Sequence, residues 1–450
     1  MINSKVDRFS RALGLERLVG PLDASLAHLA GSEVQDPEIR RLRWFWLDGL
    51  FATISVSFYT NYVGLFAMAY GANNAQVGQL TGIASLFGMI ALLPGARAID
   101  LFGGRRKSVV IVFGGIIARV ALIIWALLPS MVGNPNVAIT VIIAVNAVIS
   151  FANYFANPAW TAMVAEIIPR EIRGRLLSHR NLAINLPTLL IVPLAGWLIE
   201  AGNRPRAPLA GYQIVFALAF LTGIVSTLAF SKIEEPAAPS ESRKVLGTTD
   251  LVRAIRGAPQ FLPFVACMLI WSLGVQVVAP FLNIYLANDL GASTATIGWV
   301  TAASGLSVIL TQRWLGLWVD RRGNIWVQGV LSFIIPAIPL AWMAATSAWQ
   351  LVFVNAIAGV LWAGYGIANF NLLLDLSPSH ARAEATALFQ LVVLGSATVA
   401  PLVGGRLADA FGYPVLFLLS AGLRIAGAIA FLLWVARPAL RRGPRIAAQG

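Results

Sequence analysis

Asn146, Ser150, Asn153, Asn157 and Trp160 recur three or four residues apart in an otherwise apolar run. At 3.6 residues per turn they share roughly an 80° arc of one helix face. Amides in hydrocarbon are costly unless they are paired or line an aqueous cavity, so the face reads either as the wall of such a cavity or as a set of interhelical hydrogen bonds. A later run carries a similar arc of Asn355, Trp362, Gly366 and Asn369, with Tyr365 at its edge. The first apolar run adds Asp48, Ser55, Tyr59 and Tyr62 along one line. Asp48 lies about a turn inside that run. It is the candidate to carry a coupling proton, against a plain helix-start role. Arg119 and Arg424 fall in the middle of apolar runs, where each needs either an anionic ligand or a structural partner.

Other chemistry is missing. No GxxxxGK[ST] occurs, since the Lys of RRKS at 105–108 has no glycine before it, which argues against an ATP motor. His28, His179 and His380 are all expected on the cytoplasmic side, and no run carries a Ser–His, His–acid or metal-ligand cluster. The one cysteine, Cys267, forms neither an internal disulfide nor a multi-thiolate site. These observations predict no catalytic residue, no metal and no cofactor. The protein is therefore not expected to be an enzyme, and any coupling ion is expected to be H⁺.

The elements that must position these residues follow from composition. Of 450 residues, 58% are hydrophobic and 12% charged, against roughly 45–50% and 25% in a soluble domain. Twelve apolar stretches, each near the ~20 residues a bilayer requires, lie between positions 44 and 436. The sequence predicts an all-α membrane protein. Its segments are a charged, interfacial N-terminal stretch (1–43), six spans (44–231), a polar linker with a short amphipathic helix near 250–256 (232–260), six further spans (261–436) and a basic tail (437–450). Placing both termini in the cytoplasm puts 28 of the 33 Lys+Arg on that side, as the positive-inside rule requires. The formal charge of +13 then reflects loop bias rather than a nucleic-acid partner. The expected location is the cytoplasmic membrane.

The halves are copies. VGQLT at 77–81 and IGWVT at 297–301 lie 220 residues apart, as do Asp100 and Asp320 and Gly103 and Gly323. EIIPREIRGR at 166–175 matches DLSPSHARAE at 375–384. Two even-numbered copies keep one orientation and form a parallel repeat, which invites a site at their interface. The chain resembles the major facilitator superfamily of secondary transporters over about 44–436. The resemblance rests on the six-plus-six layout, the repeat and the loop after the second span of each half. The second copy, Gly316-Leu-Trp-Val-Asp320-Arg321-Arg-Gly323, fits the family's pattern well. The first keeps Asp100, Gly103, Arg105, Arg106 and Lys107, but has Ala96 for the glycine and Leu101 for the basic residue.

The resemblance implies two pseudo-symmetric six-helix bundles, with spans one, four, seven and ten around the cavity. It also implies that Asp100, Gly103, Arg105, Arg106, Gly316, Asp320, Arg321 and Gly323 latch the cytoplasmic side, the alternative for the Arg run being topology alone. Glu166–Arg173 and Asp375–Arg382 read as a second pair of latches, or as helix caps. Abundant aromatics and few cavity charges suit a small amphipathic or uncharged substrate. Ala400-Pro401-Leu-Val-Gly404-Gly405 is similar to an antiporter element of the family, though in span eleven rather than five, and favours export over uptake. The expected protein is a monomer in the bilayer that works by alternating access. The competing reading is a sensor or assembly factor that keeps the fold without transporting.

Overall fold

A computed structural model of the chain describes residues 36–102, 104–168, 173–235, 257–378 and 381–438. The expected interfacial stripe before residue 36, the linker helix at 250–256 and the tail beyond 438 lie outside the described residues. Among the described residues, eleven helices are long and apolar enough to cross a membrane, and Arg173–Gly202 supplies the twelfth span. The fold is all-α. We number the spans α1 (Leu42–Ala69), α2 (Asn74–Ala98), α3 (Arg106–Met131), α4 (Pro135–Val164), α5 (Arg173–Gly202), α6 (Ala210–Ser231) and α7 (Phe261–Asn288). There follow α8 (Thr294–Arg322), α9 (Asn324–Ala344), α10 (Ala348–Leu376), α11 (Glu384–Phe411) and α12 (Tyr413–Ala436).

Local chemistry sets the ends. α4 starts where the Asn134 side chain accepts the N–H groups of Asn136 at 3.0 Å and Val137 at 3.4 Å, with Pro135 in the first position, where its missing N–H costs nothing. α8 is capped by Ser293, which accepts from the Thr296 N–H. It ends at Gly323, whose φ of +84° suits a residue without a side chain.

Two spans are not continuous. α1 breaks between Tyr59 and Val63, and α7 between Gln276 and Leu282 around Pro280. The apolar runs predict neither break, because Val277–Phe281 is apolar throughout and Thr60, Asn61 and Tyr62 are too short a polar step to end a span. Both turns close on their own backbone. Tyr62 N–H donates to Tyr59 O, and Phe281 N–H to Val278 O, each at 3.0 Å. The duplication thus extends to the interruptions of the first helix in each half. α3 has a different irregularity: Val110–Ile117 is wound as a π-helix before the chain returns to α at Ala118. This widened turn carries Gly114 and Gly115.

By packing, the chain divides into two compact units. One comprises the chain through Val63 and Ile90–Ser240; the other comprises Gly64–Met89 and the chain from Glu241 on. The first unit is built on Leu42, Phe45, Met163, Ile168 and Phe230. The second is built on Phe261, Phe264, Trp271, Leu331 and Phe431. Within the second unit the first turns of α2 meet α11 backbone to backbone. A Cβ at Gly78 would lie 2.2 Å from Pro401 O, and one at Gly82 2.7 Å from Thr398 O. Asp409 accepts the N–H groups of Asn74 at 3.0 Å and Ala75 at 2.8 Å, and Tyr413 donates to Asn74 Oδ1 at 2.7 Å. The carboxylate therefore caps the first turn of α2. Leu190, Leu310, Trp314 and Phe353 are all more than half exposed, a surface suited to acyl chains rather than water.

Candidate functional site

Asp48 is 8% exposed on α1, and its carboxylate accepts a hydrogen bond from Ser226 Oγ of α6 at 2.7 Å. It interacts electrostatically with Arg180 of α5 and Arg119 of α3. Arg119 is 7% exposed and donates from Nη1 to Ser55 Oγ at 3.3 Å. The guanidinium of Arg180 lies 4.0 Å from the centre of the Phe45 ring and 5.9 Å from that of Trp160. These are distances at which a cation is held by an aromatic face.

Asp48, Arg119 and Ser226 line a cavity of about 310 Å³ inside the first unit, together with Asn153, Asn157 and Trp160 of α4. Its remaining wall includes Val110, Ile111, Gly114 and Gly115 from the π-wound turn. That turn packs tightly against α6. A Cβ at Gly115 would lie 2.5 Å from Thr227 Cγ2, so α3 and α6 approach closely there. Arg180 fits for a similar reason, since a Cβ at Gly49 would lie 2.1 Å from its Nη2. Single π turns often mark functional sites because the extra residue re-aims the helix face.

Of the residues singled out from sequence, Asp48, Asn153 and Asn157 come together at this cavity. Asn146 and Ser150 are half-buried on the same helix. Ser55 donates to Ala219 O at 2.6 Å and is fully buried, while Tyr62 donates to Val192 O at 2.6 Å. Both tie α1 to neighbouring helices. Tyr59 packs with its ring centre 5.8 Å from that of Trp125. In the second unit Asn355 donates to Val300 O of α8 at 3.0 Å. Tyr365 stacks on Trp271 at 4.9 Å, with Trp362 edge-on to Tyr365 at 5.5 Å. Asn369 is half-buried on α10.

The latch residues are described in part. The side chains of Asp100, Glu166 and Arg173, and the whole of Gly103, lie outside the described residues. Arg105 is exposed and Arg106 buried. Asp320, Arg321 and Gly323 are exposed, and Gly316 half-buried, around the end of α8. Asp375 Oδ2 accepts from Asn324 Nδ2 at 2.9 Å, and Asn371 Nδ2 donates to Asn324 Oδ1 at 3.0 Å. These bonds tie the end of α10 to the residue after Gly323. Arg382 is exposed at the start of α11.

One feature escaped the sequence reading. Arg180, counted there among loop charges, is 5% exposed inside α5. The apolar run at 177–200 already contained that position, which was the available signal. Arg119, singled out as needing an anionic ligand or a structural partner, lines the cavity and also pairs with Ser55 and with the charge of Asp48.

The family model described as Major Facilitator Superfamily matches residues 45–277 and 264–449. The multi-drug resistance efflux pump PmrA of Streptococcus pneumoniae is 25% identical over 396 residues, covering 84% of this chain and 91% of its own length. The multidrug resistance protein MdtG of Salmonella typhimurium is 24% identical over 280 residues, 60% of this chain and 66% of its own. Among solved structures, a D-xylose-proton symporter superposes with a TM-score of 0.67 at 16% identity, over 88% of this chain and 97% of its own. An inward-facing bacterial homologue of the human lysosomal transporter Spinster does so with 0.61 at 16% identity, over 90% and 96%.

Proposed function

The chain belongs to the Major Facilitator Superfamily, and on that premise we propose that it is a proton-coupled exporter of small amphipathic molecules, working by alternating access. The observation that carries this reading is the cavity of the first unit, where a buried carboxylate, Asp48, shares one space with two amides, an indole and a guanidinium. Concentrative export without an ATP motif needs an ion gradient, and an intramembrane acid facing a cavity is the usual carrier of a proton. The export direction is supported by the multidrug efflux relatives and by the Pro401–Gly405 element of α11. The Lys+Arg bias supports a cytoplasmic membrane with both termini inside. The loop from Asp320 to Gly323, with the Asn324–Asp375 bond beside it, acts as a conformational latch. Such a contact sets populations because it is made in one state and lost in the other.

The test is flux. Protein in liposomes with an imposed pH gradient is offered cationic, neutral and anionic fluorescent dyes. At least one dye is expected to move with the gradient, and Asp48→Asn to lower that flux by tenfold or more, about 1.4 kcal/mol on the coupled step. Dye binding without any flux would overturn transport in favour of a ligand-binding protein. Flux that Asp48→Asn leaves intact would remove Asp48 from the coupling role.

A further inference from the structure

The charges around the cavity do not balance. Arg119 lies in its wall and Arg180 stands behind the Trp160 ring, while the carboxylate among the described lining residues is that of Asp48. Guanidinium groups keep their protons in proteins, so titration of the arginines does not relieve the excess. Both side chains are more than nine-tenths buried, and the Nε of each lacks a hydrogen-bond partner. A buried charge with unmet donors is expensive unless something pairs with it. Here the space beside it is open, and the lining also includes Trp160 of α4 and the bare backbone of Gly114.

We propose that the cavity binds a small amphipathic molecule through a single anionic group, a carboxylate, sulfonate or phosphate. That group pairs with Arg119, Arg180 adds its field, and the apolar body lies against Trp160. The inference rests on the reading of this cavity as the substrate site and narrows the substrate to an anion. With Asp48 ionised, one added negative charge brings the two arginines and one acid to neutrality. A planar guanidinium suits such a ligand, because its donors match two oxygens at once. Asn153 and Asn157, exposed on the cavity side of α4, supply donors to its remaining polar atoms.

The experiment compares three naphthalenes of one shape on purified full-length protein in lipid nanodiscs, by calorimetry and without any gradient. They are 2-naphthoate, 2-naphthalenemethanol and 2-naphthylmethylammonium. The carboxylate is expected to bind at least about tenfold more tightly than the alcohol, equivalent to about 1.4 kcal/mol, and more tightly still than the ammonium. Arg119→Gln is expected to erase the preference for the carboxylate over the alcohol. Arg119→Lys keeps the charge, so it should retain part of the preference, and it serves where the Gln variant fails to fold. Equal affinities, a preference for the cation, no binding of any probe at millimolar concentration, or a preference that survives Arg119→Gln would each overturn the proposal. The readouts separate the two readings. Selective naphthoate binding without flux refutes transport alone, whereas dye flux without a charge preference refutes the anion site alone.

Discussion

α1 and α7 are equivalent by duplication, yet they meet their own units in opposite ways. The 220-residue offset that relates VGQLT to IGWVT places Asp48 opposite Met268. Around Asp48 lie Ser226, Arg119, Arg180 and open space. Around Met268 the space is filled. The Tyr365 hydroxyl lies 3.6 Å from the Met268 sulfur, Gln328 Nε2 lies 3.9 Å from it, and Tyr365 stacks on Trp271. The buried cation of this half, Arg424, sits 5.7 Å from the Trp362 ring centre. At this position the first copy thus has a carboxylate beside open space, where the second has a thioether packed among aromatic rings. Pseudo-symmetry of backbone does not extend to chemistry, and the functional asymmetry lies in a few side chains.

That contrast is breakable, and the largest effect is expected at the indoles. Trp271 is 3% exposed within the aromatic cluster, so Trp271→Ala should cost about 3–5 kcal/mol. Trp160 has one face on the cavity, and Trp160→Ala should cost less than half as much. Denaturant titration of both variants in the same detergent measures the difference, and equal losses would show the cavity to be filled. A finer probe uses glycines. A Cβ at Gly274 would meet Leu423 Cβ at 2.9 Å and the Arg424 backbone N at 3.0 Å, atoms fixed to the helix, whereas one at Gly223 would meet only side-chain atoms beyond Cβ or a hydroxyl, Arg119 Cδ at 2.4 Å and Ser55 Oγ at 3.0 Å, beside the open cavity. Gly274→Ala should therefore cost about 2–3 kcal/mol and Gly223→Ala about 1, within the range for overpacking. Equal midpoints would mean that Arg119 is held as rigidly as a backbone. The smallest effect has the opposite sign. Gly366 lies mid-helix with nothing near an added Cβ, so Gly366→Ala should stabilise by about 0.5–1 kcal/mol. A loss on thermal unfolding would show that its face is covered.

Much of the fold was legible because length and hydropathy suffice for spans. The runs at 44–70 and 261–287 were legible as spans but not as broken helices, since Val277–Phe281 is apolar throughout and Thr60–Tyr62 is only three polar residues inside a long apolar run. The site was legible in its amides and its acid. Asn153, Asn157 and Asp48 are costly in hydrocarbon wherever they stand, so their types announce a purpose. Gly114 and Gly115 announce nothing, because the π-wound turn in the cavity wall depends on a shift of backbone bonding that has no compositional trace. Arg180 was misread for a geometric reason. A basic residue just inside the end of a span looks like an anchor in the headgroups until the neighbouring Gly49 and Phe45 are seen to receive it.

α2 has one further consequence. Its opening turns are pinned to α11 by Asp409 and by glycines that allow backbone contact, and the helix changes unit between Met89 and Ile90, next to Gly88. The start of α2 is therefore fixed twice over, by a carboxylate that holds its first amide groups and by a seam too narrow for any side chain, so a methyl group at Gly78 would prise open the very turn that Asp409 ties down.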